Sequence, residues 1–128
     1  MSKIIEISTN KAPSAIGAYS QAIKANNMVF ISGQIPLDSK TMEVVSDNFD
    51  SQVNQVLNNI VSIAMEAGCN KNNIVKITVF LKNLENFQAV NKAMEKTFSK
   101  PYPARAAVEV SRLPKDVEVE MDAILICN

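Results

Sequence analysis

Only two stretches of this chain repeat their apolar residues at the 3.6-residue period of a helix. That small number limits how a sheet built from the rest can be covered. From about residue 47 to residue 67, Phe49, Val53, Val56, Leu57, Ile60, Ile63, Ala64 and Ala67 fall on one side, and Gly68 follows as a C-terminal stop. The second stretch starts at a cap on Asn83 and runs to about Ser99, with Phe87, Val90, Met94 and Phe98 on its inner stripe. Strands are expected over residues 3–8, 19–24, 28–32, 74–81, 104–110 and 117–127, where β-branched and alternating apolar residues prevail. Asn26 and Asn27 suit the positive φ of a tight hairpin turn between the second and third of these. The order β-β-β-α-β-α-β-β predicts an α+β fold, a roughly six-stranded mixed sheet with both helices on one face. Nothing repeats and no linker composition divides the chain, so residues 1–128 are expected to form a single domain.

Two helices cover one face of a sheet and leave the other open. Val75, Ile77, Val79 and Leu81 are assigned to one face of the fourth strand, Ile74 and Phe80 to the other, and the tail 123–127 is apolar on both. A partly wet second face is one reading of this pattern. A closed symmetric oligomer that buries the face is the other, and the amount of apolar surface favours it.

The chain has no histidine, which removes the Ser-His-Asp triad, the Cys-His pair, the HExxH helix and His-ligated zinc. Acid–base chemistry falls to Glu, Asp, Tyr, Lys or water. No spacing of carboxylates resembles a metal loop, so neither a metal nor a cofactor is expected. Cys69 and Cys127 stand far apart in sequence and read as two reduced thiols of a cytoplasmic protein. Thirteen basic residues cancel thirteen acidic ones without clustering, which argues against nucleic-acid binding. The amino terminus has no long apolar run or cleavage site, and no window is long enough to span a membrane.

The last quarter carries the candidate chemistry. Arg105 follows Pro101 and Pro103 at the mouth of the fifth strand, where alternation groups it with Ala107 and Glu109 and sets Ala104, Ala106, Val108 and Val110 opposite. A guanidinium forks onto a planar carboxylate, and small alanines beside it leave room for a ligand. On pattern alone a solvated surface pair with Glu109 is the stronger reading of Arg105. Glu118, Glu120 and Asp122 share one face of the sixth strand, which fits a solvent-facing edge, or an enclosed Glu120 able to hold a water. Asn91 shares the stripe of Phe87 and Met94, so its amide either ties a loop internally or points into a pocket. Tyr19 lies two residues after Gly17, and Ser32 and Gly33 end a strand where a backbone N–H can approach an anion.

The run Pro103-Ala104-Arg105-Ala106-Ala107-Val108-Glu109-Val110-Ser111-Arg112-Leu113-Pro114, with Val119-Glu120-Met121 beyond it, resembles the signature of the Rid family, also called the YjgF family. Residues 16–21, 29–36, 75–80 and 87–91 are similar to other Rid motifs in the same order, so the resemblance covers nearly the whole chain. It implies a chorismate-mutase-like domain assembled as a homotrimer with pockets between subunits. It implies hydrolysis of 2-enamino and 2-imino acids, released by pyridoxal-phosphate enzymes such as threonine or serine dehydratases, to 2-oxo acids and ammonia. The resemblance makes Arg105 the carboxylate-binding residue and Glu120 the residue that positions the attacking water. Tyr19, Ser32, Gly33 and Asn91 match further substrate-binding positions, and Ala107 stands where many relatives carry a cysteine. An oligomer that covers the second sheet face is expected to bury the Arg105 face with it. Two alternatives are a non-catalytic trimer that senses 2-oxo acids and, last, an endoribonuclease or translation inhibitor, for which the chain offers neither a basic patch nor a stacking stripe.

Overall fold

The computed structural model describes residues 3–128; Met1 and Ser2, where the reading of the amino terminus begins, lie outside the described residues. Six strands and two helices follow in the expected order: β1 (Ile4–Ile7), β2 (Ala22–Ala25), β3 (Met28–Gln34), α1 (Phe49–Glu66), β4 (Ile74–Leu81), α2 (Phe87–Thr97), β5 (Ala104–Glu109) and β6 (Val119–Ile126). They form one mixed sheet in the order β1-β2-β3-β6-β4-β5. Every pairing is antiparallel except β4 with β5, which run parallel because α2 carries the chain back between them.

The Asn48 side chain accepts from the Ser51 N–H at the start of α1, and Gly68 at φ 82 turns the chain away beyond its end. The apolar side of α1 (Val53, Val56, Leu57, Ile60 and Ile63) is fully buried against β3 and β6. Val90, Ala93 and Met94 of α2 extend the same layer, and Ile77, Val79, Leu81, Val119, Met121 and Leu125 meet it from the sheet. Both helices thus lie on one face, as the period count requires.

Several boundaries move for local reasons. Tyr19 lies before β2, because buried Gln21 donates to the carbonyls of Thr9, Ala12 and Pro13 and holds the chain in a loop until Ala22. Asn83 caps a single 3-10 turn, Leu84–Asn86, that leads into α2, and α2 stops at Thr97 ahead of two prolines. Ile74 and Val75 exchange faces relative to expectation: a bulge between Ile74 and Lys76 buries Ile74 and leaves Val75 41% exposed.

The two cysteines are a further correction. Cys69, just past α1, and Cys127, just past β6, are both buried and joined by a disulfide. Sequence spacing could not foresee this, since the contact arises only when the end of α1 packs at the end of β6. The bond closes a loop 58 residues apart in sequence. Its removal in Cys127→Ser is expected to cost about 2–4 kcal/mol, roughly 10 °C in Tm for a chain of this size. Thermal melting with and without reductant measures this, and a Tm indifferent to reductant would show that the bond adds nothing.

Candidate functional site

Arg105 projects from the edge strand β5 toward the helices. In the parallel register it sits beside Ile77, and Ala107 sits beside Val79, both core residues of β4. This overturns the expectation that the second sheet face and the Arg105 face are the same. Ala104, Ala106 and Val108 look out on the open side, while Arg105 lies on the helix side with Ala107 packed against the core.

The guanidinium is held from three directions. Its centre lies 4.7 Å from the centroid of the Phe87 ring. Nη1 donates to Oδ1 of Asn91 and faces Sδ of Met94 at 3.7 Å. No acidic side chain pairs with it among the described residues, where Lys82–Glu118 is the one ion pair. Glu109, the partner that pattern alone would supply, instead accepts from the Leu84 N–H. An arginine has five N–H donors, so the Nε and Nη2 edge is left with three and no recorded partner. That is the edge onto which a planar carboxylate forks. Arg105 lines a cavity of about 310 Å3 together with Asn91, Met94, Glu95, Tyr102 and Pro103.

Glu120 occupies the opposite face. On β6 the residues Val119, Met121, Ala123 and Leu125 point into the core, so Glu120 and Asp122 point out, with Glu120 in register with Phe80. Burial raises the proton affinity of Glu120 above that of an ordinary carboxylate, and the neighbouring Asp122 charge raises it further. Its carboxylate lies over Gly33, where an added Cβ would collide with Oε2. The register shift between Ile31 and Gln34 carries Gly33 to this position, and a side chain there would require the Glu120 carboxylate to move.

Gly33 also opens onto a second cavity of about 350 Å3, whose walls include Ile16, Tyr19, Leu37, Met42, Pro114 and Lys115. The Tyr19 hydroxyl accepts a long bond from the Ile16 N–H, and the Ser32 hydroxyl donates to the Ser20 carbonyl at 2.6 Å. Ser32 therefore holds the segment that presents Tyr19.

The expected residues thus fall into two groups. Arg105, Asn91 and Ala107 share the helix side, and Tyr19, Ser32, Gly33 and Glu120 gather at the open side. One chain does not bring the two groups together. Phe87 and Met94 were expected only as core; their spacing, four residues before and three after Asn91 on one helical stripe, was the signal that they face the same side chain. Among the described residues no group of Cys, Asp and Glu could hold a metal ion, and no helix is long and apolar enough to cross a membrane.

A family model described as Endoribonuclease L-PSP matches residues 9–127. The 2-iminobutanoate/2-iminopropanoate deaminase of Escherichia coli K12 is 46% identical over 123 residues, covering 94% of this chain and 95% of that one. A crystal structure of RidA from an Antarctic Psychrobacter superposes with a TM-score of 0.92 at 46% identity, covering 95% of this chain and 98% of that one. The structure of E. coli TdcF with bound serine gives 0.92 at 38% identity, covering 97% and 99%.

Proposed function

Since this chain belongs to the Endoribonuclease L-PSP family, the family of RidA and the YjgF product, we propose that it hydrolyses 2-imino acids and their enamine tautomers to 2-oxo acids and ammonia. The observation that carries this reading is the half-buried Arg105, which lines a cavity and has no ion-pair partner among the described residues. A cation in that state calls for an anion from outside the chain, and its fork matches a carboxylate. The similarity to a deaminase named for two small imino acids narrows the anion to that class.

In the proposed reaction the substrate carboxylate forks onto Arg105, which leaves orientation about C2 as the main requirement. A water hydrogen-bonded to Glu120 attacks C2 of the protonated imine. The water gives its proton to the Glu120 carboxylate as the C–O bond forms. Glu120 returns that proton to the amine of the tetrahedral adduct. The C–N bond then breaks while the Glu120 carboxylate takes the adduct's hydroxyl proton, so the C2 carbonyl of the 2-oxo acid forms and that proton leaves with the ammonia as ammonium. The iminium is already electrophilic, so this sequence uses only the chain's own groups and water. The walls of the Tyr19 cavity are mostly apolar and suit a methyl or ethyl side chain.

Arg105 and Glu120 lie on opposite faces of one sheet, so the reading needs a second copy to bring one to the other. The open face supports such contact, exposing Phe30, Val75, Val108 and Ile126 by 41–45% each. We assign it to the interface of a homotrimer, with the Arg105 edge strand of one copy beside the Glu120 face of the next. The test is a coupled assay in which an amino-acid oxidase or threonine dehydratase generates the imine and semicarbazide traps what survives. Faster loss of the trapped product with this protein supports the deaminase. No acceleration across several imines, with 2-oxo-acid binding retained, leaves the sensor reading in its place.

A further inference from the structure

We infer that Phe87 and Met94, with Asn91, are positioning residues that fix the plane of the Arg105 guanidinium and thereby decide which of its edges meets the substrate. The inference rests on the proposed carboxylate grip and extends it to the residues that hold the arginine itself.

An arginine on an edge strand normally has a long, mobile side chain, and ordering it costs conformational entropy. Here the ordering is built in before a ligand arrives. The ring of Phe87 underlies the guanidinium at 4.7 Å and restrains its plane. Nη1 is engaged by Asn91 Oδ1 and lies 3.7 Å from Met94 Sδ, which fixes the rotation within that plane. The three residues follow one another at four and three positions along α2, so one face of a single helix sets the whole cradle. Met94 and Val90 are buried, which anchors that helix to the core. The edge left over is the Nε–Nη2 edge, whose two parallel N–H bonds match both oxygens of a carboxylate. Without the ring beneath it, the same arginine can turn its other edges to the cavity or to solvent, and a ligand must select among them.

This division of labour gives a specific kinetic signature. The cradle acts on the carboxylate, which is gripped alike in the bound substrate and at the transition state. Disturbing it therefore changes KM and leaves kcat nearly intact. Calorimetric titration with 2-oxobutanoate, the stable product of the proposed reaction, reads the grip without turnover. Phe87→Leu is expected to weaken 2-oxobutanoate binding about five- to tenfold, the usual worth of one such stacking contact. Its KM for the imine should rise by the same factor, with kcat within about twofold of native. Phe87→Tyr, which keeps the ring, should restore both. Met94→Leu keeps the volume and removes the sulfur contact, and a smaller loss of the same kind is expected.

A Phe87→Leu protein with native affinity and KM would overturn the cradle, as would a variant whose Tm falls while binding holds. A Phe87→Tyr variant as weak as Phe87→Leu would do the same, since the ring would then not be the active element. If the native protein itself binds no 2-oxobutanoate, the proposed grip fails and this inference fails with it; native binding with indifferent variants removes the inference alone.

Discussion

Arg105→Ala is expected to lower kcat/KM for imine hydrolysis by roughly 10²- to 10³-fold, the usual result of deleting one partner of an enclosed charge-assisted pair. It should also abolish measurable 2-oxo-acid binding. The loss should be nearly as great in Arg105→Lys. A lysine keeps the charge but presents a point donor in place of a fork, and it gives up the face that stacks on Phe87. The fold should hardly notice either change. No acidic partner is stranded among the described residues, and Arg105 sits on an edge strand, so Tm should stay close to native. Activity lost together with Tm would point instead to a structural arginine. An alanine variant with native kcat/KM would remove Arg105 from the site altogether.

Glu120→Gln should leave 2-oxo-acid binding in place and lower kcat by about 10²- to 10⁴-fold, the range of a lost general base. Glutamine keeps the shape that lies over Gly33, so the cavity behind it is preserved. The pH dependence supplies an independent check. The proposed reaction needs ionised Glu120, and burial followed by the Asp122 charge holds its pKa above that of a free glutamate. Activity should therefore rise with pH along a limb that lies above the ordinary carboxylate range. In Asp122→Asn that limb should move toward acid, because one of the two causes is gone. Stability runs in the opposite sense. A carboxyl whose folded pKa is raised contributes its stability fully below the unfolded value of 4.5, and loses it as pH rises through the folded value. Glu120→Gln should accordingly melt higher than native at neutral pH. An acidic limb unmoved by Asp122→Asn would count against Glu120 as the group that titrates.

Much of this architecture was legible because it is periodic. Ile60 and Leu57 are buried where the helical count puts them, and β4 begins and ends at Ile74 and Leu81 as its β-branched run indicates. What could not be read depends on pairings distant in sequence. Alternation placed Arg105 with Ala107 and Glu120 with Asp122, each pair sharing one side of its own strand. It could not say that these sides look in opposite directions, because that follows from the register of β4 with β5 and of β4 with β6. The bulge that turns Val75 outward leaves no mark on composition, and the partnership of Cys69 with Cys127 needs the helix already docked on the sheet. The Rid motifs named the candidate residues but not the two groups into which one chain divides them.

The strand order gives this protein a history as well as a shape. Of the six strands β6 is the last to leave the ribosome, yet it lies between β3 and β4. Until it arrives, the nascent sheet exists as two separate pieces, the β1-β2-β3 meander and the β4-α2-β5 crossover. Each shows an unpaired inner edge, the kind that recruits other chains. One closing segment joins the pieces, supplies the Met121 and Leu125 layer beneath α1, and brings Glu120 to Gly33. Completion of the sheet and arrival of Glu120 beside Gly33 are thus a single event, and a chain cut short before β6 forfeits both at once.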